Sequence, residues 1–385
     1  MGSHPKTLPV HSMPELTGLR GLAALWVLLY HAWVYVTPQE ILVPVLGIQI
    51  RAHVLFSLGW AGVQVFFLLS AFLLTIPYAR SNAGLAPRPQ VFPYLARRFA
   101  RVFPAYWVQL IVLVMAAWFV TKRLLVQPSN ALAYLLMDFV PPPVGIGPPH
   151  SLNGVWWTLP IELSFYLVLP LIGWLASWRR LTTLLFICLM AMVGWRCFVF
   201  AALDPANHVP EWAYQLPGSM DSFGLGMLGA VVFVRFSTEG KEAAAYRRSL
   251  TIALCCTPVV FIGLGIWMDK SYETYWSLSW ITFLWTPLFS FAVLIIVLNC
   301  AHRNCSFTRL LKMRPLFYLG TVSYGVYLWH YPVGSWLLKL SIINEMEGYQ
   351  FPRLALAMFL TSVAIATLSW FVIEARVIAL AKSRT

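Results

Sequence analysis

Charged residues are scarce in this chain of 385 residues. Asp, Glu, Lys and Arg together make up 11% of it, whereas soluble domains carry about 25%. Hydrophobic residues make up 59%, and the mean hydropathy is +0.72. A chain with so little charge cannot cover itself with a water-facing surface, which excludes a soluble globular enzyme. The composition predicts an integral membrane protein with lipid as its main solvent.

Cysteine is sparse too, and no cleavable signal peptide is evident. The six cysteines lie in apolar runs or in a basic loop: Cys188, Cys197, Cys255, Cys256, Cys300 and Cys305. The only grouping with a histidine is that of His302 with Cys300 and Cys305, a weak pattern for a metal site. We therefore expect reduced thiols and no metal. The first apolar run is long enough to span a bilayer, and no small-residue cleavage site follows it.

Long apolar runs dominate what the chain does contain. An apolar helix of about 20 residues crosses a bilayer, and the runs predict an all-α fold, a polytopic transmembrane bundle of about ten helices. They are residues 17–36, 54–78, 103–121, 155–176, 181–202, 219–236, 249–268, 276–299, 317–338 and 353–376. A short interfacial helix is expected around Ala131 to Phe139. Residues 15–378 are predicted to form one transmembrane domain, after an N-terminal tail (1–14) that begins like a tag and before a cytoplasmic tail (379–385).

The basic residues predict the orientation. With the N-terminus in the cytoplasm, 20 of the 27 Lys and Arg residues fall on the inner side, as the positive-inside rule requires. Both termini are then cytoplasmic, and the protein lies in a bacterial-type inner membrane. The net charge of +13 is explained by topology and by contact with anionic lipids of the bilayer. No nucleic acid partner is expected.

A few ionisable residues lie inside the predicted helices, where a charge costs at least about 2.5–3.5 kcal/mol. Among the acidic residues and histidines these are His31, Glu162, Asp221, His330 and Glu374, and Arg20 lies at the inner end of the first helix. Arg20 and His31 are eleven residues apart, which places them on one helix face about 16.5 Å apart along the axis. This spacing suits a long ligand with an anionic end and a reactive end. The alternative is that Arg20 only snorkels to the interface and His31 only bonds to a neighbouring helix.

Two further helices carry candidate site residues. Glu162 follows Pro160, which loosens the local hydrogen-bond ladder, and its buried carboxyl must be paired or protonated. Tyr327 and His330 are three residues apart and are therefore neighbours on a helix. The alternatives are a packing lock at Glu162 and an ordinary aromatic core stripe at Tyr327 and His330.

A cluster of arginines lies between the second and third apolar runs, in a segment that we interpret as a loop at the cytoplasmic mouth. Arg98 and Arg101 share one face there. Arginine binds phosphate in a bidentate manner, so the pair is a candidate site for a phosphorylated ligand. The alternative is that these charges serve topology and lipid headgroups.

The sequence resembles the acyltransferase-3 family of membrane acyltransferases from about Leu16 to Arg376. The resemblance is carried by the order of these stretches: ELTGLRGLAALWVLLYH, VFFLLSAFLLT, RRFARVFPAYW, NGVWWTLPIELSFYLVLPL, SMDSFGLGMLGA and LGTVSYGVYLWHYPV. Two positions depart from the family pattern. Ala71 stands where the family usually has glycine, and the Glu374 motif lacks its usual proline two residues later, which puts a special role for Glu374 in doubt.

The resemblance implies an acyl-coenzyme A donor, acetyl-coenzyme A by default, on the cytoplasmic side. It also implies an acceptor hydroxyl on a carbohydrate, glycolipid or related glycoconjugate. The family's site residues carry over to positions that match its motifs: Arg20, His31, Arg98, Arg101, Glu162 and His330.

Acyl transfer needs a base, a held thioester and a group that stabilises the oxyanion. His31 is the predicted base and His330 the alternative, since imidazole titrates near neutral pH, and Glu162 orients an imidazole or holds the acceptor. Tyr327 or His330 donates to the oxyanion, and the three arginines grip the phosphates. Direct transfer and a covalent acyl-histidine both fit the sequence. Two other classes stay open: a proton-coupled secondary transporter, and a non-catalytic partner in polysaccharide flipping or export.

Overall fold

The computed structural model describes residues 13–36, 41–45, 48–122, 126–139, 151–202, 210–237, 240–277, 279–302, 307–339 and 350–383. Most of the predicted N-terminal tail, Cys305 and the last two residues of the chain lie outside the described residues. Helices dominate what is described, which confirms the all-α prediction.

The helices are α1 Pro14–Tyr35, α2 His53–Ser57, α3 Gly62–Asn82, α4 Val91–Thr121, α5 Ala131–Leu136, α6 Thr158–Ile172, α7 Leu181–Ala202, α8 Pro210–Ala213, α9 Met220–Arg235, α10 Lys241–Trp276, α11 Ile281–Ala301, α12 Phe307–Leu311, α13 Arg314–Thr321, α14 Ser323–Leu337, α15 Gln350–Ser369 and α16 Ala375–Ser383. A π-helical turn, Trp370–Glu374, joins α15 to α16. Two short antiparallel strands, β1 Leu42–Val45 and β2 Ile48–Arg51, pair with Leu42 opposite Arg51. Apolar periodicity did not predict this hairpin.

Every predicted apolar run overlaps a helix, with 317–338 divided between α13 and α14, and α5 lies where the short helix was expected. The interfacial position of α5 stays a prediction. Within the described residues, eight helical segments are long and apolar enough to cross a membrane, two fewer than predicted: His53–Asn82, Val91–Val120, Thr158–Leu175, Trp178–Ala202, Pro217–Arg235, Lys241–Trp276, Ile281–Ala301 and Gln350–Ala381. The two that fall short are α1, whose apolar character is diluted by Arg20 and His31, and α14, which has 15 residues. Both carry candidate site histidines.

The interpretation of the arginine cluster as a loop was wrong. Helix α4 begins at Val91, before the predicted start at residue 103, so Arg98 and Arg101 lie on its first turns. The prediction followed apolarity alone, whereas arginine and alanine are good helix formers and extend the helix beyond the apolar run. The shared face of Arg98 and Arg101 is retained, because residues three apart on a helix are neighbours.

The chain divides into two compact units. Within the described residues, one unit draws on 13–23, 61–89 and 168–321, and the other draws on 24–60, 90–167 and 322–383. The predicted single domain over 15–378 stays a prediction.

The first unit is built around the contact of α3 with α9. The rings of Phe67 and Phe223 stack with centroids 4.7 Å apart. Gly226 brings the two backbones together, since a Cβ there would lie 2.5 Å from the Leu68 carbonyl oxygen. Close approach of helices at small residues is the usual packing in membranes, where lipid removes the hydrophobic drive between helices.

A buried ion pair also belongs to the first unit. Arg196 Nη2 donates to Asp221 Oδ2 at 2.8 Å, and both side chains are almost wholly buried. Arg196 Nη1 donates to the Thr282 carbonyl at 2.5 Å, and the Ser222 backbone N–H donates to Asp221 Oδ1 at 2.7 Å. The membrane-buried Asp221 noted in the sequence is therefore neutralised inside its own unit, as an intramembrane charge requires.

The second unit places α14 against α15. Gly325 on α14 meets Ala366 on α15, and a Cβ at Gly325 would lie 2.9 Å from the Ala366 Cβ. The core of this unit includes Trp156, Tyr106 and Phe165, each with less than 2% of its surface exposed. Every candidate site residue except Arg20 lies in this unit.

We predict that Gly226→Ala destabilises the protein, because the added methyl group collides with the Leu68 carbonyl. Overpacking of this kind costs about 1–3 kcal/mol. Thermal unfolding in detergent measures it. The matched control is Gly194→Ala on α7, where an added Cβ meets nothing within 4 Å. Unfolding of both variants at the same temperature would show that the close approach of α3 and α9 does not limit stability.

Candidate active site

Two histidines form the centre of the candidate site. His31 lies on α1 and His330 on α14, and His31 Nδ1 is 3.0 Å from His330 Nε2. Their ring centroids are 4.8 Å apart. His330 is 1% exposed, while His31 is only partly buried. The two imidazoles predicted separately from the sequence are thus brought into direct contact.

The hydrogen bonds of the pair assign its tautomers. His31 Nδ1 is 3.0 Å from the Val27 carbonyl oxygen, and His330 Nδ1 is 3.1 Å from the Val326 carbonyl oxygen. A carbonyl only accepts, so both Nδ1 atoms carry the proton. His330 Nε2 is then the unprotonated acceptor of the His31 Nδ1–H. The single His31 Nδ1–H is thus shared between the Val27 carbonyl oxygen and His330 Nε2. No other pair of neutral tautomers satisfies all three contacts, and the result leaves a lone pair on His31 Nε2.

Tyrosines pack around the His31 ring. The His31 ring makes edge contacts with Tyr30, at 4.9 Å between centroids, and with Tyr331, at 5.3 Å. The Tyr35 hydroxyl donates to the Tyr331 carbonyl at 2.8 Å. Gly154 makes room for the Tyr331 ring, because a Cβ there would lie 2.6 Å from it. These contacts restrict the rotation of the His31 ring.

Tyr327, the predicted oxyanion donor, lies beside His330 with ring centroids 5.7 Å apart. Its hydroxyl donates to the Val155 carbonyl at 3.0 Å and lies 2.9 Å from Thr158 Oγ1. The protons of Tyr327 and of His330 Nδ1 are therefore both directed at backbone carbonyls. An oxyanion role for either residue stays a prediction, and it requires that proton to leave its carbonyl partner.

A second, charged group of residues extends from Glu162. Tyr166, one turn along α6, donates its hydroxyl proton to Glu162 Oε1. Arg98 interacts electrostatically with Glu162 and Arg101, and both arginines interact with Tyr166. Glu162 also lies within electrostatic range of Tyr327. The carboxylate is thus connected to the arginines of α4, while the contact that orients His31 comes from His330.

Arg98 has unused hydrogen-bonding capacity. Its Nε atom is buried and has no hydrogen-bond partner among the described residues. A buried donor without a partner costs about 1–3 kcal/mol, so an acceptor that reached this atom would be favoured. Together with Arg101 on the same helix face, Arg98 is suited to bind an anionic ligand.

Glu374 is buried and has polar partners that the sequence did not predict. The π-helical turn that ends at Glu374 directs its side chain inward, where it is 2% exposed. The Ser369 hydroxyl donates to Glu374 Oε1 at 3.1 Å, and Arg101 interacts with it electrostatically. Single π-helical turns occur often at functional sites. The missing proline of the family motif therefore does not remove Glu374 from the arginine cluster.

Sequence reasoning missed the uncharged polar residues of the site. Gln109 and Asn153 are both 0% exposed and both donate to the Leu328 carbonyl of α14. The signal was present, since Gln109 is a lone amide in an apolar transmembrane run, but only ionisable residues were selected. A buried amide in a membrane helix also needs a partner.

The remaining predictions are not decided by the geometry. Helix α1 is continuous from Arg20 to His31, as expected, but Arg20 belongs to the first unit, and its role in the site stays a prediction. Among the described residues, no three His, Cys, Asp or Glu side chains come together in a group that could hold a metal ion. Cys300 is buried and forms no disulfide bond with another described residue.

Comparisons with known proteins identify the family of the chain. The family profile described as an acyltransferase domain, acyltransferase-3, matches residues 13–372. The peptidoglycan O-acetyltransferase OatA of Listeria monocytogenes is 24% identical over 347 residues, which cover 83% of this chain and 49% of the relative. The O-acetyltransferase OatA of Staphylococcus aureus is 22% identical over 348 residues, covering 88% and 53%. The chain spans about half the length of these two relatives. No solved structure matches it significantly.

The tautomer assignment predicts unequal reactivity of the two histidines. Diethyl pyrocarbonate attacks an unprotonated imidazole nitrogen, and His31 Nε2 is such a nitrogen, whereas His330 Nε2 already accepts a hydrogen bond. We expect His31 to be carbethoxylated at least about tenfold faster at neutral pH, because His330 is also more deeply buried. Peptide mass spectrometry measures both rates in one sample. Equal rates, or faster labelling of His330, would contradict the assignment.

Proposed function

Because the chain belongs to the acyltransferase-3 family, we propose that it is a membrane-bound O-acetyltransferase that moves an acetyl group from acetyl-coenzyme A to a hydroxyl of a carbohydrate or glycoconjugate. The observation that carries this proposal is the contact of His31 with His330, which leaves His31 Nε2 unprotonated. A neutral imidazole in this state is the form that acts as a general base near neutral pH.

The donor proposal rests on the arginines. Coenzyme A carries a pyrophosphate and a ribose phosphate, and Arg98 and Arg101 share one face of α4. The unpartnered Arg98 Nε would donate to a phosphate oxygen. Arginine-to-phosphate bonds are charge-assisted and roughly twice as strong as neutral ones. The phosphates of the donor thus complete the arginine cluster.

The proposed reaction is direct transfer at His31. Its Nε2 takes the proton of the acceptor hydroxyl while the hydroxyl oxygen attacks the thioester carbonyl carbon. The tetrahedral intermediate collapses as the carbon–sulfur bond breaks, and the imidazolium returns the proton to the coenzyme A thiolate. His330 Nε2 accepts the His31 Nδ1–H throughout and stabilises the transient positive charge. Glu162 holds the acceptor or its neighbouring groups in place.

The acceptor is proposed from the relatives and the predicted topology. The names of two relatives designate O-acetyltransferases, one of them acting on peptidoglycan, and we extend this to a carbohydrate or glycolipid hydroxyl for the present chain. With both termini on the cytoplasmic side of a bacterial-type inner membrane, the arginines of α4 face the donor in the cytoplasm. Only the acetyl group then needs to cross the bilayer.

We predict that the purified protein in nanodiscs releases free thiol from acetyl-coenzyme A and that His31→Ala lowers this rate about 100- to 10,000-fold, the usual contribution of a general base. The control is His302→Gln in the first unit. Burial and the charge of Arg247 lower the pKa of His302 to about 4, so glutamine preserves its neutral state at pH 7. His302→Gln should retain the wild-type rate.

Wild-type turnover by His31→Ala would exclude the base assignment. Counterflow of a solute across liposomes without any thiol release would instead favour the transporter. The assay includes a mixture of carbohydrate acceptors, so that an obligate acceptor does not mask the reaction.

We also predict that Arg98→Ala weakens binding of coenzyme A about 10- to 100-fold, which corresponds to the loss of one charge-assisted hydrogen bond. Isothermal titration with coenzyme A in detergent measures it. The matched control is Arg235→Ala, an exposed arginine paired with Glu242 at 3.0 Å in the first unit. Equal affinities of the two variants for coenzyme A would show that Arg98 does not bind the donor.

A further inference from the structure

Helix α14 has a break in its hydrogen-bond ladder next to the histidine pair. Pro332 lies inside the helix. It has no N–H with which to reach the carbonyl four residues earlier, and its ring crowds that oxygen. The carbonyl concerned belongs to Leu328, two residues before His330. In a bilayer no water is present to satisfy a freed carbonyl, so a side chain must do so.

Two amides from elsewhere in the second unit satisfy this carbonyl. Gln109 Nε2 on α4 donates to the Leu328 oxygen at 2.5 Å, and Asn153 Nδ2, in the segment before α6, donates to it at 3.0 Å. Both residues are 0% exposed. The two amides thus hold α14 from two different elements at the level of the break.

The orientation of the Gln109 amide is fixed. The Trp156 indole N–H donates to Gln109 Oε1 at 2.8 Å, and an indole nitrogen can only donate. The oxygen of the Gln109 side chain must therefore face Trp156, and its NH₂ group must face Leu328. Trp156 is itself 0% exposed, so the amide is held rigidly between a large buried ring and the helix break.

We propose that Gln109 is a positioning residue for the histidine pair. By holding the freed carbonyl of Leu328, it fixes the height and rotation of α14 at His330, and so keeps His330 Nε2 at hydrogen-bonding distance from His31. His330 in turn holds the His31 Nδ1 proton, which leaves Nε2 as the base. The effect on catalysis rests on the proposed acetyl transfer, whereas the effect on the histidine pair does not.

Gln109→Leu tests the positioning role. Leucine fills much of the same space but cannot donate to Leu328 or accept from Trp156. We expect kcat per folded molecule to fall about 100-fold, the loss that follows a displacement of about 1 Å in an active site. The affinity for coenzyme A should stay at the wild-type value, because the arginines that would bind it are separate residues. Folded protein is quantified by size-exclusion chromatography before each assay.

Gln109→Glu provides a conservative rescue with its own pH signature. A protonated carboxyl can donate its O–H to Leu328 and accept from Trp156, as the amide does, but an ionised carboxylate cannot donate. The activity of this variant, relative to the wild type at the same pH, should be high below the pKa of the introduced carboxyl. It should fall as the pH rises through that pKa. An unchanged ratio across the pH range would overturn the hydrogen-bonding role.

The second readout does not depend on enzyme activity. In Gln109→Leu, displacement of α14 should release His330 Nε2 from His31, so the ratio of His31 to His330 carbethoxylation should fall at least about threefold from its wild-type value, since a freed nitrogen lone pair becomes reactive. The matched control is Gln64→Leu. Gln64 is a buried glutamine of the first unit that accepts from the Ser222 hydroxyl at 2.6 Å, and its loss should leave the labelling ratio unchanged.

The outcomes separate the two proposals. If Gln109→Leu reduces only the yield of folded protein, with wild-type kcat and labelling ratio, Gln109 is structural and the positioning proposal is wrong. If the labelling ratio changes while even the wild type shows no acetyl transfer, the positioning of the histidines holds and the proposed function fails. A change in both kcat and the labelling ratio supports both.

Discussion

The structure depends on one constraint, which is that a polar group inside a bilayer must find its partner within the protein. Water is absent from the hydrocarbon region, and an unsatisfied group there costs several kcal/mol. The first unit meets this constraint by pairing Arg196 with Asp221. The second unit meets it with hydrogen bonds among His31, His330 and backbone carbonyls. Arg98 Nε has no hydrogen-bond partner among the described residues, and in the proposed function a phosphate oxygen of the donor accepts from it.

The same constraint applies to two irregularities of helix geometry near the candidate site. Pro332 frees a carbonyl in α14, and the π-helical turn before α16 directs Glu374 inward. Each irregularity would be costly against lipid, because exposed backbone groups have no partner there. In the second unit the carbonyl that Pro332 frees accepts from Gln109, and the Glu374 carboxyl at the π-helical turn accepts from the Ser369 hydroxyl. The compensating side chains lock the helices that carry the reactive groups, which links stability to the precision of the site.

Apolar runs predicted the helices well because the bilayer imposes their length and composition. They missed helical segments that have high helix propensity but little apolar character, as in the first turns of α4 around Arg98. His31 and His330 were both selected as intramembrane imidazoles, yet their contact joins residues 299 positions apart, and no local pattern encodes such a distance. Gln109 was missed because an uncharged amide in an apolar run looks like a polar residue that the membrane tolerates. Its role is visible only once the structure shows the broken helix whose carbonyl it binds. The sequence thus shows which residues carry reactive side chains, but it does not show which of them meet in the fold.

The histidine pair also bears on the choice between direct transfer and an acyl-histidine. If His31 Nε2 attacked the thioester carbon itself, the coenzyme A thiolate would be the leaving group. His31 would keep its Nδ1 proton and would therefore become a positively charged acylated imidazolium. That positive charge would persist in a low-dielectric environment until an acceptor arrived, or would pass to the buried His330, which is 1% exposed. In direct transfer the imidazolium exists only while the negative intermediate lies beside it, so the two charges offset each other within one step. Burial therefore favours direct transfer, with the acceptor bound before the thioester is cleaved.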